Sequence, residues 1–230
     1  DTGEKNVLYI HLTLVPYIKV ADEIKTKPTQ HSVQTLREIG IQPDILICRT
    51  EKPLSDDVKE KISLFCNIRK EAVIESMDVE SIYQVPLVFK AQILDEIILG
   101  HFGLISKPSD LKDWEKNVVE RLFSPKKTVQ VAVVGKYIGL QDAYKSILES
   151  FVHAGAMNEC KVQVQYIHSE FITEDNVGEK LAGLDGLLVA PGFGHRGIEG
   201  KITAVKYARE KGLPFFGICL GMQMAVIEYA

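Results

Sequence analysis

No Cys-x-x-Cys pair occurs in this chain, and its four cysteines, Cys48, Cys66, Cys160 and Cys219, lie far apart. That spacing argues against a zinc site or a dithiol redox pair, and free thiols suit a reducing compartment, so a cytoplasmic location is expected and no metal ligands are. No apolar run approaches the ~20 residues of a membrane span. The first residues, Asp1 to Asn6, lack the basic and apolar regions of a signal peptide. A strong excess of either charge is also missing. A formal net charge of -4 gives no electrostatic reason to expect nucleic acid or an anionic membrane as partner. Low-complexity segments and internal repeats are missing, which excludes solenoid and disordered classes.

What is present is an ordinary globular composition. With 46% hydrophobic and 25% charged residues over 230 positions, the chain has room for one large or two small domains with a sizeable core.

Strands and helices alternate along it. Strands are expected at Val7–Leu14, Asp44–Cys48 and Ala72–Ile74, with a polar loop at Lys25–His31. Helices are expected from Gln30 to Ile39, from a Ser55-Asp56-Asp57 cap to Phe65, and from Pro86 to Gly100. Ser106–Lys127 is proline-containing and charged, carries the lone Trp114, and reads as a connector with one helix from Leu111 to Phe123. Beyond it the alternation becomes regular. Strands at Val129–Val134, Lys161–Ile167, Leu187–Ala190 and around Phe215 are separated by helices at Asp142–Ala154, Asn176–Leu181 and Lys201–Lys211. This order predicts an α/β fold with a parallel sheet and helices on both faces, whose sites lie beyond the carboxyl ends of the strands.

The stretch around which the chain is organised is Gly217-Ile218-Cys219-Leu220-Gly221-Met222-Gln223. It follows the apolar run Leu213–Phe216, read as a buried strand, and precedes Met224–Tyr229, read as a helix. Strand, Gly-x-Cys-x-Gly, helix is the layout of a nucleophile elbow with Cys in place of Ser. Such a turn is strained, and side chains at the flanking glycines would collide with strand and helix. The helix N-terminus favours thiolate over thiol, and the N–H of Leu220 is placed to donate to an oxyanion. An isolated Gly-x-Cys-x-Gly is more often a buried, inert thiol, so the surrounding residues carry the weight. A second loop, Pro191 to Gly200, holds four glycines between a strand and a helix. It reads either as a flexible surface loop or as a mobile lid whose Gly192 N–H is the second oxyanion donor. His195 on this loop lacks the rigid setting a general base needs.

Gly-Ile-Cys-Leu-Gly-Met-Gln resembles the nucleophile motif of class I glutamine amidotransferases. The resemblance implies hydrolysis of glutamine through a thioester on Cys219. Lys25-Thr26-Lys27-Pro28-Thr29-Gln30-His31, Ile39-Gly40-Ile41-Gln42-Pro43-Asp44, Val134-Gly135-Lys136-Tyr137 with Asp142-Ala143-Tyr144, and Gly192-Phe193-Gly194 with Arg196-Gly197 and Glu199-Gly200 occur in this order. Together they resemble the CTP synthase family over essentially the whole chain.

That resemblance implies ATP-dependent amination of UTP to CTP with Mg²⁺, using ammonia from glutamine, activated by GTP and inhibited by CTP. It also implies a homotetramer. On it, residues 1–108 are the back half of a P-loop-type synthetase domain and residues 109–127 a linker helix. Residues 128–230 are the front of a flavodoxin-like glutaminase domain. It assigns Cys219 as nucleophile, with Gly192, Leu220 and Gln223 as glutamine-binding or oxyanion positions. Lys25, Thr26, Lys27, Pro28, Thr29, Gln30 and Lys61 take UTP or CTP, and Asp78 and Val79 lie near ATP. The family's ATP-gripping loop, Mg²⁺ ligands and catalytic His and Glu have no counterparts in this sequence, so the chain reads as an internal portion, inactive alone. Two alternatives are another class I amidotransferase and a degenerate glutaminase-like assembly domain.

Overall fold

A strand followed by a helix and a second strand returns, by a right-handed crossover, to a parallel neighbour, and each half of this chain is built on that unit. The computed structural model describes residues 6–105 and 107–230. Residues 1–5 and Ser106, where the connector is expected to begin, lie outside them. The chain divides between Glu115 and Lys116 into two compact units.

The first unit runs β1 (Ile10–Leu14), an antiparallel pair β2 (Tyr17–Ile18) and β3 (Glu23–Ile24), α1 (Lys27–Glu38), β4 (Ile45–Thr50), α2 (Asp56–Cys66), β5 (Val73–Met77), α3 (Val85–Lys90), α4 (Leu94–His101) and α5 (Lys112–Trp114). Its main sheet is parallel in the order β1-β4-β5, with Leu12 opposite Ile47 and Ile47 opposite Ile74. Val33 of α1 and Ile62 and Cys66 of α2 pack with Ile45, Leu46 and Ile74 of the sheet into one core. The outward face of edge strand β1 is uncovered among the described residues, with Leu12 and Leu14 each 61% exposed.

The expected helix from Pro86 to Gly100 is interrupted. Ile93 takes a left-handed conformation (φ 52°) between α3 and α4. Gln92 accounts for the break. Its amide accepts from the N–H of Glu75 at 2.7 Å and donates to the carbonyl of Glu75 at 2.7 Å, standing in for a further strand beside β5. Trp114 belongs with this unit: its indole N–H donates to the Tyr83 carbonyl at 2.8 Å.

The second unit opens with a π-helical turn, Glu115–Val119 (its first residue closing the other unit), and α6 (Glu120–Phe123). Then follow β6 (Lys127–Gly135), α7 (Lys145–Met157), β7 (Cys160–His168), α8 (Val177–Lys180), β8 (Gly186–Val189), α9 (Ile198–Lys211), β9 (Phe215–Gly217) and α10 (Leu220–Tyr229). All pairs are parallel, in the order β7-β6-β8-β9. Numbered locally this is 2-1-3-4, the flavodoxin-like doubly wound order.

The alternation of the central strands divides their side chains between two cores. Ala132, Val134, Leu187 and Val189 face Ala204, Val205 and Ala208 of α9 and Met224 of α10. Val133, Leu188 and Ala190 face Tyr144, with Ile147 and Phe151 of α7 beside them. Burial on both faces explains why β8 reads as a continuous apolar run. The Phe215 strand is not buried as expected. As an edge strand it leaves Phe216 64% exposed among the described residues. No helix among the described residues is long and apolar enough to cross a membrane.

Candidate active site

In a parallel sheet every strand delivers its carboxyl end to the same edge. The register places Gly135 beside His168 and Val134 beside Val189, and Val189 beside Gly217. Lys136, the Ala190–Gly192 turn and Cys219 therefore emerge side by side.

Cys219 sits between β9 and α10 with φ 50° and ψ -107°, a combination that L-residues avoid. The strain is held by the chain around it. The N–H of Ile218 donates to the Val189 carbonyl at 3.0 Å and that of Gly221 to the Ile218 carbonyl at 2.9 Å. The N–H of Gln223 donates to the Cys219 carbonyl at 3.0 Å. Both flanking glycines are sterically required. A Cβ at Gly217 would lie 2.6 Å from the backbone of Gly221, and one at Gly221 would overlap the Val189 carbonyl. The result is a thiol held out from the fold: Cys219 is exposed. By contrast, burial pushes the Cys48 thiol up to about 12 and raises that of Cys66. Cys160 is half-buried.

The helix behind the thiol begins at Leu220, a turn earlier than Met224. Leu220 is its first residue, so its N–H has no partner inside the helix. Gln223 lies in the same first turns and is exposed. Gly192 is half-buried in the loop after β8.

That loop is shorter than its glycine content suggests. Ile198, Glu199 and Gly200 belong to α9, with Gly197 as its cap at φ 74°. Gly200 is buried where any Cβ would overlap the Ser169 carbonyl. The two last glycines therefore seat α9 against the end of β7 and are not lid residues. Arg196 is tied down as well, by a 3.0 Å ion pair with Glu170. His195 is exposed on the loop.

Sequence reasoning passed over two buried amines at this edge. Lys201, on the inner side of α9, is fully buried and its Nζ donates to the Ala190 carbonyl at 2.7 Å. Lys136 is 4% exposed, and its Cε would lie 2.9 Å from a Cβ on Gly192. Burial, then the charge of Lys136, pulls the Lys201 amine down to about 8, and Cys219 acts in the opposite direction. The signal in the sequence was Lys201 within the apolar stripe Ile198-Ile202-Val205, where a helix turns inward.

The other candidate residues lie in the first unit. The expected polar loop Lys25–His31 is mostly helix. Thr26 caps α1, and Lys27, Pro28, Thr29 and Gln30 form its first turn. Proline is compatible with a first turn because its missing N–H has no intrahelical partner to lose. Thr29 is buried, donating to the Leu14 carbonyl at 3.2 Å and accepting from Thr13 at 3.2 Å. These bonds fix the helix start at the carboxyl end of β1. Thr26 accepts from Gln30 at 3.1 Å, Lys25 is paired with Glu23, and Lys27 is exposed. Lys61 is exposed on α2, the neighbour of α1. Asp78, after β5, is paired with Arg49 at 2.6 Å, and Val79 follows it. Among the described residues no three His, Cys, Asp or Glu side chains gather as a metal site.

Known proteins match both units. Residues 1–104 match the family described as CTP synthase N-terminus, and residues 139–230 match glutamine amidotransferase class-I. A CTP synthase of Flavobacterium johnsoniae is 60% identical over 231 residues, covering 100% of this chain and 43% of that protein. One from Lawsonia intracellularis is 56% identical over 230 residues, covering 100% of this chain and 42% of its own length. The chain thus spans less than half the length of these relatives. A solved structure described as the glutaminase domain of Trypanosoma brucei CTPS with bound acivicin is 42% identical, covers 44% of this chain and 39% of its own, and superposes with a TM-score of 0.41.

Proposed function

This chain belongs to the CTP synthase family, and from that premise we propose that it carries the glutamine-hydrolysing nucleophile and part of the pyrimidine nucleotide site of an enzyme that aminates UTP to CTP. The observation that carries the proposal is the strained, exposed Cys219 between two sterically required glycines, beside the Gly192 turn.

The chemistry follows from that arrangement. The Cys219 thiolate attacks the γ-amide carbon of glutamine, forming a C–S bond and a tetrahedral oxyanion. The N–H groups of Leu220 and Gly192 are the donors suited to that oxygen, and Gln223 to the substrate's polar end. The C–N bond then breaks as the nitrogen takes a proton and leaves as ammonia. Water hydrolyses the thioester to glutamate and returns the thiol.

The ammonia is consumed at the other unit. There Lys25 and Thr26 lead into the first turn of α1, Lys27 to Gln30, whose N–H groups and Lys27 ammonium suit the phosphates of UTP, or of CTP as inhibitor. Lys61 is a further contact to UTP or CTP, and Asp78-Val79 a neighbour of ATP. ATP drives the amination in the full protein, with Mg²⁺ as the cation that accompanies its phosphates. Activation by GTP, a homotetrameric assembly and a cytoplasmic location complete the reading.

A glutamine-like chloroketone tests the central step. It should alkylate Cys219 and spare Cys48, Cys66 and Cys160, as read by peptide mass, and glutamine should protect. Label on another cysteine, or no protection, would sink the proposal.

A further inference from the structure

Lys201 is costly where it lies. A buried amine forfeits its hydration, and an apolar side chain of similar volume would pack there without that loss. Its position suggests what the charge does. The Nζ donates at 2.7 Å to the carbonyl of Ala190. Ala190 is also fixed from its other side, its N–H donating to the Val134 carbonyl at 2.9 Å. The next residue, Pro191, has no N–H and a restricted φ, so the Ala190 carbonyl is the last anchored group before Gly192. Lys136 lies against Gly192, its Cε 2.9 Å from where a Cβ would stand. Lys201 also interacts electrostatically with both Lys136 and Cys219. The two amines and the thiol thus share one field at the end of the sheet.

We propose that Lys201 is a positioning residue for glutamine hydrolysis. Through the Ala190 carbonyl it sets the direction of the Gly192 N–H, and its ammonium supplies positive potential behind the elbow as negative charge develops there. This deepens the proposed function and rests on it. A preorganised donor is worth most where charge appears only in the transition state, so the effect falls on turnover and not on glutamine binding.

The test compares the full-length protein with Lys201→Met, which keeps the volume and removes the charge, and Lys201→Arg, which keeps charge and donor. Cys219→Ala is the reference for the underlying reading. Glutamine hydrolysis is measured as kcat and KM, well below each variant's unfolding midpoint, so that lost stability does not count as lost rate. Lys201→Met should lower kcat about tenfold, below the loss expected for deleting an oxyanion donor itself, with KM within about twofold. Lys201→Arg should recover most of that loss. An unchanged kcat in Lys201→Met, a loss confined to KM, or equal losses in both variants would overturn the inference. If Cys219→Ala still hydrolyses glutamine, the proposed function itself fails. If Cys219→Ala is inactive and Lys201→Met is not impaired, only the role of Lys201 falls.

Discussion

A Cβ on Gly221 would occupy the space of the Val189 carbonyl oxygen. Helix α10 therefore touches strand β8 backbone to backbone, and that contact holds the elbow closed. Gly221→Ala should force the helix away, a collision with rigid backbone that costs about 3 kcal/mol, the upper part of the range for overpacking. Glutamine hydrolysis should disappear in the same variant, because Cys219 and Leu220 move with the helix. A thermal midpoint and turnover like those of the unmodified protein would show that α10 can shift freely and the elbow is not rigid.

On the proposed function, a change at Cys219 should separate two activities. In the full-length protein, Cys219→Ala should abolish glutamine-dependent CTP formation, since no other group can form the thioester. Synthesis supplied with free ammonia should persist, because the amination does not use this sulfur. If both fall equally, Cys219 is structural.

The same position stores strain. With φ 50° and ψ -107°, Cys219 lies where glycine is more at ease. Cys219→Gly should raise the unfolding free energy by roughly 1 kcal/mol, less the added entropy of the unfolded glycine, while removing hydrolysis. A lower midpoint than that of Cys219→Ala would show that the backbone is relaxed there.

Lys27 is exposed at the first turn of α1. Lys27→Ala should weaken UTP binding and CTP inhibition together, by about 1.5–3 kcal/mol for a charge-assisted contact. Glutamine hydrolysis should be largely retained. An unchanged UTP dependence would leave Lys27 an ordinary solvated side chain.

Arg209 grips Glu228 through three hydrogen bonds of 3.2, 2.9 and 2.7 Å, linking the C-terminal ends of α9 and α10. The hydrogen bond from Arg209, helped by its charge, holds the Glu228 carboxyl below its ordinary 4.5. A lowered carboxylate stabilises the fold above its unfolded value, and that contribution is lost as pH falls through the folded value. Glu228→Gln should therefore melt earlier than the unmodified protein at pH 7, and the two should converge once the solution is more acidic than the folded carboxyl. A gap that persists in strong acid would assign the difference to packing.

The sequence by itself determined the alternation of strands and helices, the doubly wound second unit and the identity of the elbow. These follow from local signals: apolar runs of strand length, amphipathic stripes, and glycines bracketing Cys219. Its boundary errors have a common source. The starts of α1, α9 and α10 lie a turn earlier than expected because proline and glycine, which read as loop, are tolerated in a first turn when tertiary contacts hold it. Thr29 on the Leu14 carbonyl holds α1, and Gly200 against Ser169 seats α9. The break at Ile93 was hidden for a similar reason, since it depends on Gln92 reaching the distant edge of β5. Only the tertiary structure brought Lys136 against Gly192 and Lys201 against the Ala190 carbonyl, at the sheet edge that carries Cys219. Residues so separated in sequence meet because four parallel strands end at one edge, and no local pattern encodes which side chains that edge collects.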